Sequence, residues 1–263
     1  MLARSPTSHK GENGTVAVIG GSLTMHGAPL FSALAAEAGG VDLVYVCVPR
    51  IHQEVARMQS LNFQVRPFHG DELRPNDLHQ LLELLVTIDC AVIGPGLDRS
   101  HEGLEALREL IDSCPRAMVL DASALQPWTL DAAKGKTVVA TPHLGELERM
   151  GIEPETIGDA SKRHGMTIHV KGHVDRIAGE DGKIVEVSGG NAGLTVGGTG
   201  DALAGLIGGL LAQHLDPVDA CVTASTIIKR AGTLLFEQNG YSYTTREVIR
   251  LIPHLLHTLD ANA

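Results

Sequence analysis

Between Gly193 and Gly205 the chain reads GLTVGGTGDALAG, with glycines crowded around one charged residue, Asp201. Gly197, Gly198 and Gly200 leave their amides without side-chain cover, and a helical pattern starts directly after them. Successive bare N–H groups ahead of a helix form an anion-binding concavity, strengthened by the positive end of the helix. Asp201 falls in the first helical turn, where a carboxylate is favoured by about 0.3–1 kcal/mol. One role for this set is phosphoryl transfer to a hydroxyl. The amides hold the transferring group while Asp201 takes the hydroxyl proton. The other role is a plain turn before a buried helix, since Asp is also a preferred helix-capping residue. On the motif alone the two are evenly matched. The stretch lacks the GxxxxGK pattern of a P-loop. It also does not fit GxGxxG, and no strand directly precedes it.

A carboxylate and an anion hole need a scaffold, and the chain alternates short β-branched runs with helical patterns. Residues 15–19 (TVAVI), 43–48, 89–93, 117–120, 137–140 and 167–170 read as strands, each short and mostly apolar. Residues 28–38 read as a small-residue helix closed by Gly39-Gly40, a C-cap signal. Residues 174–187 depart from this alternation and predict a hairpin turning at Asp181-Gly182. After Gly200 the chain is almost wholly helical, over 201–213, 218–237 and 245–259. Continuous apolar strands separated by helices predict a mostly parallel sheet covered on both faces. In such sheets ligands bind at the C-terminal strand ends. The unusual residues fall there: Gly20-Gly21-Ser22, Gly94-Pro95-Gly96, Asp121, Thr141-Pro142-His143 and Lys171-Gly172.

Composition narrows the function. The 263 residues are 43% hydrophobic and 20% charged, an ordinary balance for a globular chain, with a formal net charge of −10. That charge opposes a general nucleic-acid or anionic-membrane surface, which needs a basic face. A small phosphorylated ligand remains compatible, because a local site on an acidic protein can be electropositive. Cys47, Cys90, Cys114 and Cys221 form no CxxC pair, which fits reduced, buried thiols. No apolar run is long enough to span a bilayer, and the N-terminal residues lack the apolar core of a signal peptide. These features predict a cytoplasmic enzyme. His254 and His257 share a helical spacing without a third ligand, and Trp128 after Pro127 predicts a packing anchor.

VIGGS (18–22), HGAP (26–29), IGPGL (93–97), LDASAL (120–125), TPHLGE (141–146), VKG (170–172) and GGTGDALAG (197–205) occur in one order. In that order they resemble the ADP/ATP-dependent NAD(P)H-hydrate dehydratases, a branch of the ribokinase-like superfamily. The resemblance runs from about His9 to near Gln213. It implies an α/β, ribokinase-like three-layer fold, with a mostly parallel central sheet and helices on both faces, as a single domain over residues 1–263. It further implies a repair reaction. A nicotinamide cofactor hydrated on its ring is phosphorylated on the new hydroxyl by ADP or ATP. The phosphate then leaves, and NADH or NADPH is recovered. Hydroxide is a poor leaving group and phosphate a good one, so a kinase-like site needs little change to act as a lyase.

Carried over by position, the resemblance makes Asp201 the base and a contact of the hydrated ring. Gly198, Thr199 and Gly200 supply the anion hole, with Gly200 also near the nucleotide. Ala28, Gly96 and His143 fall where the family contacts its dinucleotide substrate, and Lys171, Gly172, His173, Val174 and Asp175 where it contacts the adenosine nucleotide. TPHLGE also resembles the TPNxxE segment of sugar kinases, which implies that Glu146 supports Mg2+ through water. Ser123 stands where the family often has Asp, and Asp175 where it usually has Thr. His143 equally suits a helix start, and Lys171 a solvated strand end. A homo-oligomer is expected, together with a separate epimerase, since only about fourteen residues precede the first strand. The alternatives are a small-molecule kinase of the same superfamily and a non-catalytic nucleotide-binding protein.

Overall fold

The computed structural model describes residues 4–260. In chain order its elements are β1 (Thr15–Ile19), α1 (Gly27–Ala38), β2 (Leu43–Cys47), α2 (Gln53–Arg57), β3 (Phe63–Val65), α3 (Leu78–Leu85), β4 (Cys90–Ile93), α4 (His101–Ser113), β5 (Ala117–Leu120), α5 (Thr129–Ala132), β6 (Val138–Ala140), α6 (Leu144–Arg149), α7 (Ile157–His164), β7 (Thr167–Val170), β8 (Asp175–Ala178), β9 (Ile184–Val187), α8 (Thr199–Ala212), α9 (Pro217–Asn239) and α10 (Thr245–Asp260). The strands form one nine-stranded sheet in the order β3-β2-β1-β4-β5-β6-β7-β8-β9. β1 to β7 pair parallel, and β8 and β9 add an antiparallel hairpin at one edge. Its turn closes with Gly182 N donating to Gly179 O at 2.8 Å, next to the expected Asp181-Gly182.

Strand alternation feeds two cores. Val16 and Val18 of β1 face one way, into a cluster with α1, α8, α9 and α10. Ala17 and Ile19 face the other way, into a cluster with α3, α4 and α7. Helices therefore cover both faces, as expected for an α/β sheet of continuous apolar strands. The order reverses between β1 and β4, where the chain leaves one half of the sheet and returns to build the other. Such a reversal opens a crevice at the strand C-termini.

Helix α8 runs through the core nearest that crevice, with twelve buried residues including Leu206, Ile207 and Leu210. Fully burying one such side chain stabilises by about 1.5–3 kcal/mol. Its glycines serve contact: a Cβ on Gly205 would lie 2.0 Å from Ser32 O of α1. The two helices pack backbone to backbone, and this brings their N-terminal turns side by side. All four cysteines are free and buried. Burial pushes the Cys47 thiol up to about 12, so it stays protonated and inert. Trp128 packs against the second core.

Candidate active site

The glycine stretch forms a cradle ahead of α8. Gly198 is the N-cap residue with φ +98°, and the Phe31 ring lies 2.4 Å from where a Cβ would be. Both the backbone conformation and the space therefore demand glycine. Gly197 faces open space, so its backbone is accessible. Helix α10 braces the cradle from behind, with Thr245 Oγ1 donating to Gly197 O at 2.9 Å. Ser32 Oγ of α1 donates to Asp201 O at 2.8 Å and locks the first turn of α8.

Asp201 sits in that first turn, and no group among the described residues donates a hydrogen bond to its carboxylate. It does not cap the helix, and the N-cap residue is Gly198. Opposite it, the ends of β5, β6 and β7 bring Asp121, Glu146 and Lys171 together. Lys171 Nζ donates to Asp121 Oδ1 at 2.7 Å and lies 3.7 Å from Glu146 Oε2. The same ammonium stands 3.4 Å from the Cβ position of Gly200, beside the cradle. Thr141 Oγ1 donates to Asp121 Oδ1 at 2.8 Å and fixes that carboxylate. One cation thus serves three carboxylates.

The electrostatics follow from this count. Burial, and then the Asp121 charge, push the Asp201 carboxyl up to about 7; Glu146 adds to the rise and Lys171 opposes it. Burial pulls the Lys171 ammonium down, but Asp121 and Glu146 outweigh it and hold it above its ordinary value. A carboxylate that ionises near neutrality, beside a glycine turn and a fixed cation, is suited to accept a hydroxyl proton.

His143 is the N-cap of α6: its Nδ1 accepts from Glu146 N at 3.2 Å, and Glu146 Oε2 accepts from His143 N at 3.0 Å. The helix-start role is therefore present, and the ring remains 58% exposed at the rim. Glu146 Oε2 serves both this capping box and Lys171, and Oε1 lies 3.5 Å from His143 Nε2. Among the described residues no group of three or more His, Cys, Asp or Glu is placed to hold a metal ion. These residues fit Mg2+ only as an ion that arrives with nucleotide phosphates and meets Glu146 through water, as Mg2+ commonly binds.

Ala28 and Gly96 meet across the β1–β4 crevice, with the Gly96 Cβ position 3.2 Å from Ala28 Cβ. Ala28 lies one turn before Ser32, so this contact connects to the Asp201 turn. Lys171, Gly172, His173 and Val174 form the β7–β8 turn, whose Gly172 and His173 are exposed. Asp175 differs: it is 5% exposed and its carboxylate is taken up by internal partners. It accepts from Gly172 N, Ser225 Oγ and His169 Nε2 at 2.9, 2.6 and 3.1 Å. Ser123 is also satisfied internally, donating to Leu97 O at 2.7 Å. Phe31, Ser32 and Thr245 were not marked by sequence, because each meets the site from a distant element.

Comparison with known proteins places this geometry. The sequence model of the NAD(P)H-hydrate dehydratase family matches residues 16–254. The ADP-dependent (S)-NAD(P)H-hydrate dehydratase of Cenarchaeum symbiosum is 35% identical, over 98% of this chain and 93% of its own length. The bifunctional NAD(P)H-hydrate repair enzyme of Methanocaldococcus jannaschii is 36% identical over 97% of this chain, which spans 50% of that longer protein. Among solved structures, the ADP/ATP-dependent NAD(P)H-hydrate dehydratase of Bacillus subtilis co-crystallised with ATP/Mg2+ has a TM-score of 0.82 at 24% identity, covering 97% and 93% of the two chains. A ribokinase-like superfamily protein of Enterococcus faecalis has a TM-score of 0.84 at 24% identity, covering 97% and 91%. Those two likenesses establish the ribokinase-like fold, and the matches in sequence establish that the chain belongs to the NAD(P)H-hydrate dehydratase family.

Proposed function

We propose that the chain restores NADH or NADPH from the hydrated cofactor, using ADP as phosphoryl donor and Asp201 as the base. The observation that carries this reading is the Asp201 carboxylate, free of hydrogen-bond donors and ionising near 7, in the helical turn next to bare glycine amides. ADP as donor and the (S) form as substrate are supported by the names of two relatives that match nearly end to end. One continuous nine-stranded sheet supports a single domain.

In the first step Asp201 takes the proton of the ring hydroxyl as its oxygen bonds to the terminal phosphorus of ADP. The bond from that phosphorus to the bridging oxygen breaks, and AMP leaves. Gly198, Thr199 and Gly200 amides hold the transferring group, and the Lys171 ammonium offsets its charge. Glu146 would hold Mg2+ through water when the ion arrives with the nucleotide, and the ion would supply neutralisation of phosphate charge. In the second step the carbon–oxygen bond breaks, phosphate leaves, and a neighbouring ring carbon loses a proton to restore the double bond. Ala28, Gly96 and the exposed His143 ring line the dinucleotide side. The Lys171–Val174 turn takes the adenosine nucleotide, and Asp175 shapes that turn from within.

The test supplies hydrated NADH with ADP and Mg2+, following recovery of reduced-nicotinamide absorbance and release of phosphate. Recovery with phosphate release is the expected result. A persistent phosphorylated product would instead identify a kinase, and binding without turnover a silent nucleotide-binding protein.

A further inference from the structure

Lys229 of α9 takes no part in the steps above, yet it carries a charge against the sheet with its side chain only 8% exposed. Its ammonium donates to Gly172 O and His173 O, both at 3.0 Å, and stands 3.3 Å from Asp175 Oδ1. Two hydrogen bonds and one ion pair therefore hold the ammonium. The two hydrogen-bond acceptors are backbone carbonyls of the exposed β7–β8 turn. The stem of the same side chain packs elsewhere. A Cβ on Gly190 would lie 3.4 Å from Lys229 Cγ, and one on Gly189 3.7 Å from Lys229 Cβ. Gly189 and Gly190 have φ of +120° and +70° and begin the segment that runs on to the anion cradle. One side chain therefore touches both loops that the nucleotide is expected to bridge.

Stability does not account for this arrangement. A buried ion pair is often no more stabilising than apolar residues of the same volume. The cluster also buries His169 completely, and His169 Nδ1 finds no partner among the described residues. Such a group carries an uncompensated desolvation cost. What an apolar replacement could not supply is a fixed position for two consecutive carbonyls relative to the glycine loop.

We propose that Lys229 is a positioning residue for nucleotide binding. It is a strut that sets the spacing between the 172–174 turn and the loop leading to the Gly198–Gly200 cradle. The adenosine end and the transferred phosphoryl group are thereby held in register by two separate loops. This rests on the reading of Lys171 to Val174 as the nucleotide contact.

The test measures ADP binding with Mg2+ by calorimetry, and KM for ADP and for hydrated NADH, in wild type, Lys229→Met and Lys229→Arg. Lys229→Met keeps the stem and removes the ammonium. Its ADP affinity is expected to fall about tenfold or more, the loss of charged hydrogen bonds. KM for hydrated NADH and kcat at saturating ADP are expected to stay within about threefold of wild type, the pattern of lost uniform binding. Lys229→Arg keeps the charge, but its planar fork cannot meet the same three acceptors, so a smaller loss confined to ADP is expected. Unchanged ADP affinity in a folded Lys229→Met overturns the proposal, as does a parallel rise in both KM values. If Lys229→Met does not fold, Lys229→Arg decides: weaker ADP binding supports the strut, and wild-type binding removes it. If wild type itself binds no ADP, the nucleotide reading fails first and the strut with it. If wild type binds ADP and recovers NADH while the variants match it, only the strut fails.

Discussion

Two lysine–carboxylate clusters lie at opposite ends of the β7–β8 turn, and they treat their aspartates in opposite ways. At the crevice, the Asp201 carboxylate receives no hydrogen bond from the described residues, shares Lys171 with Asp121 and Glu146, and is pushed up to about 7. Behind the turn, Asp175 is opposed by its own burial, but bonds from His169, Ser225 and Gly172 prevail and bring it down to about 2. Both carboxyls are largely removed from water, so burial alone does not decide their charge. Donors aimed at the carboxylate favour its ionised form, and neighbouring carboxylates disfavour it. The first cluster is therefore built to exchange a proton and the second to keep its charge.

The largest expected effect comes from neutralising the exchanging member. Asp201→Asn is expected to lower kcat by roughly 10²–10⁴-fold, the usual contribution of a positioned base. ADP binding, read by calorimetry, is expected to persist. In wild type, kcat/KM should rise with pH to a plateau above an apparent pKa near 7. The same substitution should raise stability. A carboxyl whose folded pKa exceeds its unfolded value binds its proton more tightly when folded, so ionisation costs stability as pH rises from 4 through 7. Against wild type, Asp201→Asn is then expected to gain a few kcal/mol at pH 8 and almost nothing at pH 4. Near-normal turnover in this variant would assign the base elsewhere.

The same substitution in the second cluster should act with the opposite sign. Asp175→Asn leaves the Lys229 ammonium buried without its counter-charge, a loss of about 3–5 kcal/mol in typical cases. The pH dependence also reverses. Because the folded pKa lies below the unfolded one, the stability from Asp175 is present above pH 4 and is lost as pH falls from there through 2. Urea unfolding of both variants across pH 2–8 checks the pair. If the two difference curves ran in the same direction, the contrast between the clusters would be wrong.

Sequence and structure divide along similar lines. The strand ends and the cradle were legible because each is a contiguous signal: apolar runs followed by Gly, Pro, Asp or His. The edge strand β3 escaped, being three residues long with an exposed Gln64. Helix α4 also went unassigned, although Ser100 is its N-cap and Leu107 and Ile111 share a buried face. At the site, Asp201 and its glycines were readable, whereas the pairing of Lys171 with Asp121 joins residues fifty positions apart. The inward turn of Asp175 depends on Ser225 and Lys229 of another helix. The one local hint was the spacing of Lys229, which shares a helix face with buried Ser225 and Gly232, whereas its neighbour Arg230 is exposed.

Removing the shared cation sharpens the first cluster. Lys171→Met leaves Asp121, Glu146 and Asp201 facing one another without compensation, so Asp201 should be harder to ionise. The acid limb of kcat/KM is expected to move to higher pH by about one unit, equivalent to about 1.4 kcal/mol between protonation states. At pH 7 this appears as reduced activity that recovers partly at pH 8.5. An acid limb that stayed in place would show that Lys171 does not set the charge of Asp201.

The smallest expected effect separates the two roles of His143. Its imidazole caps α6 through Glu146 N, and its ring is exposed. His143→Ala removes both, and loss of a cap costs about 0.5–2 kcal/mol. Asn is among the best N-cap residues, so His143→Asn should restore most of that stability without restoring the ring. If the ring contacts the hydrated cofactor, KM for that substrate stays raised a few-fold in both variants, about the value of one hydrogen bond. Thermal unfolding then distinguishes Ala from Asn while KM does not. Should Asn recover KM together with stability, the ring contributes only by holding α6, and with it Glu146, in place beside Lys171.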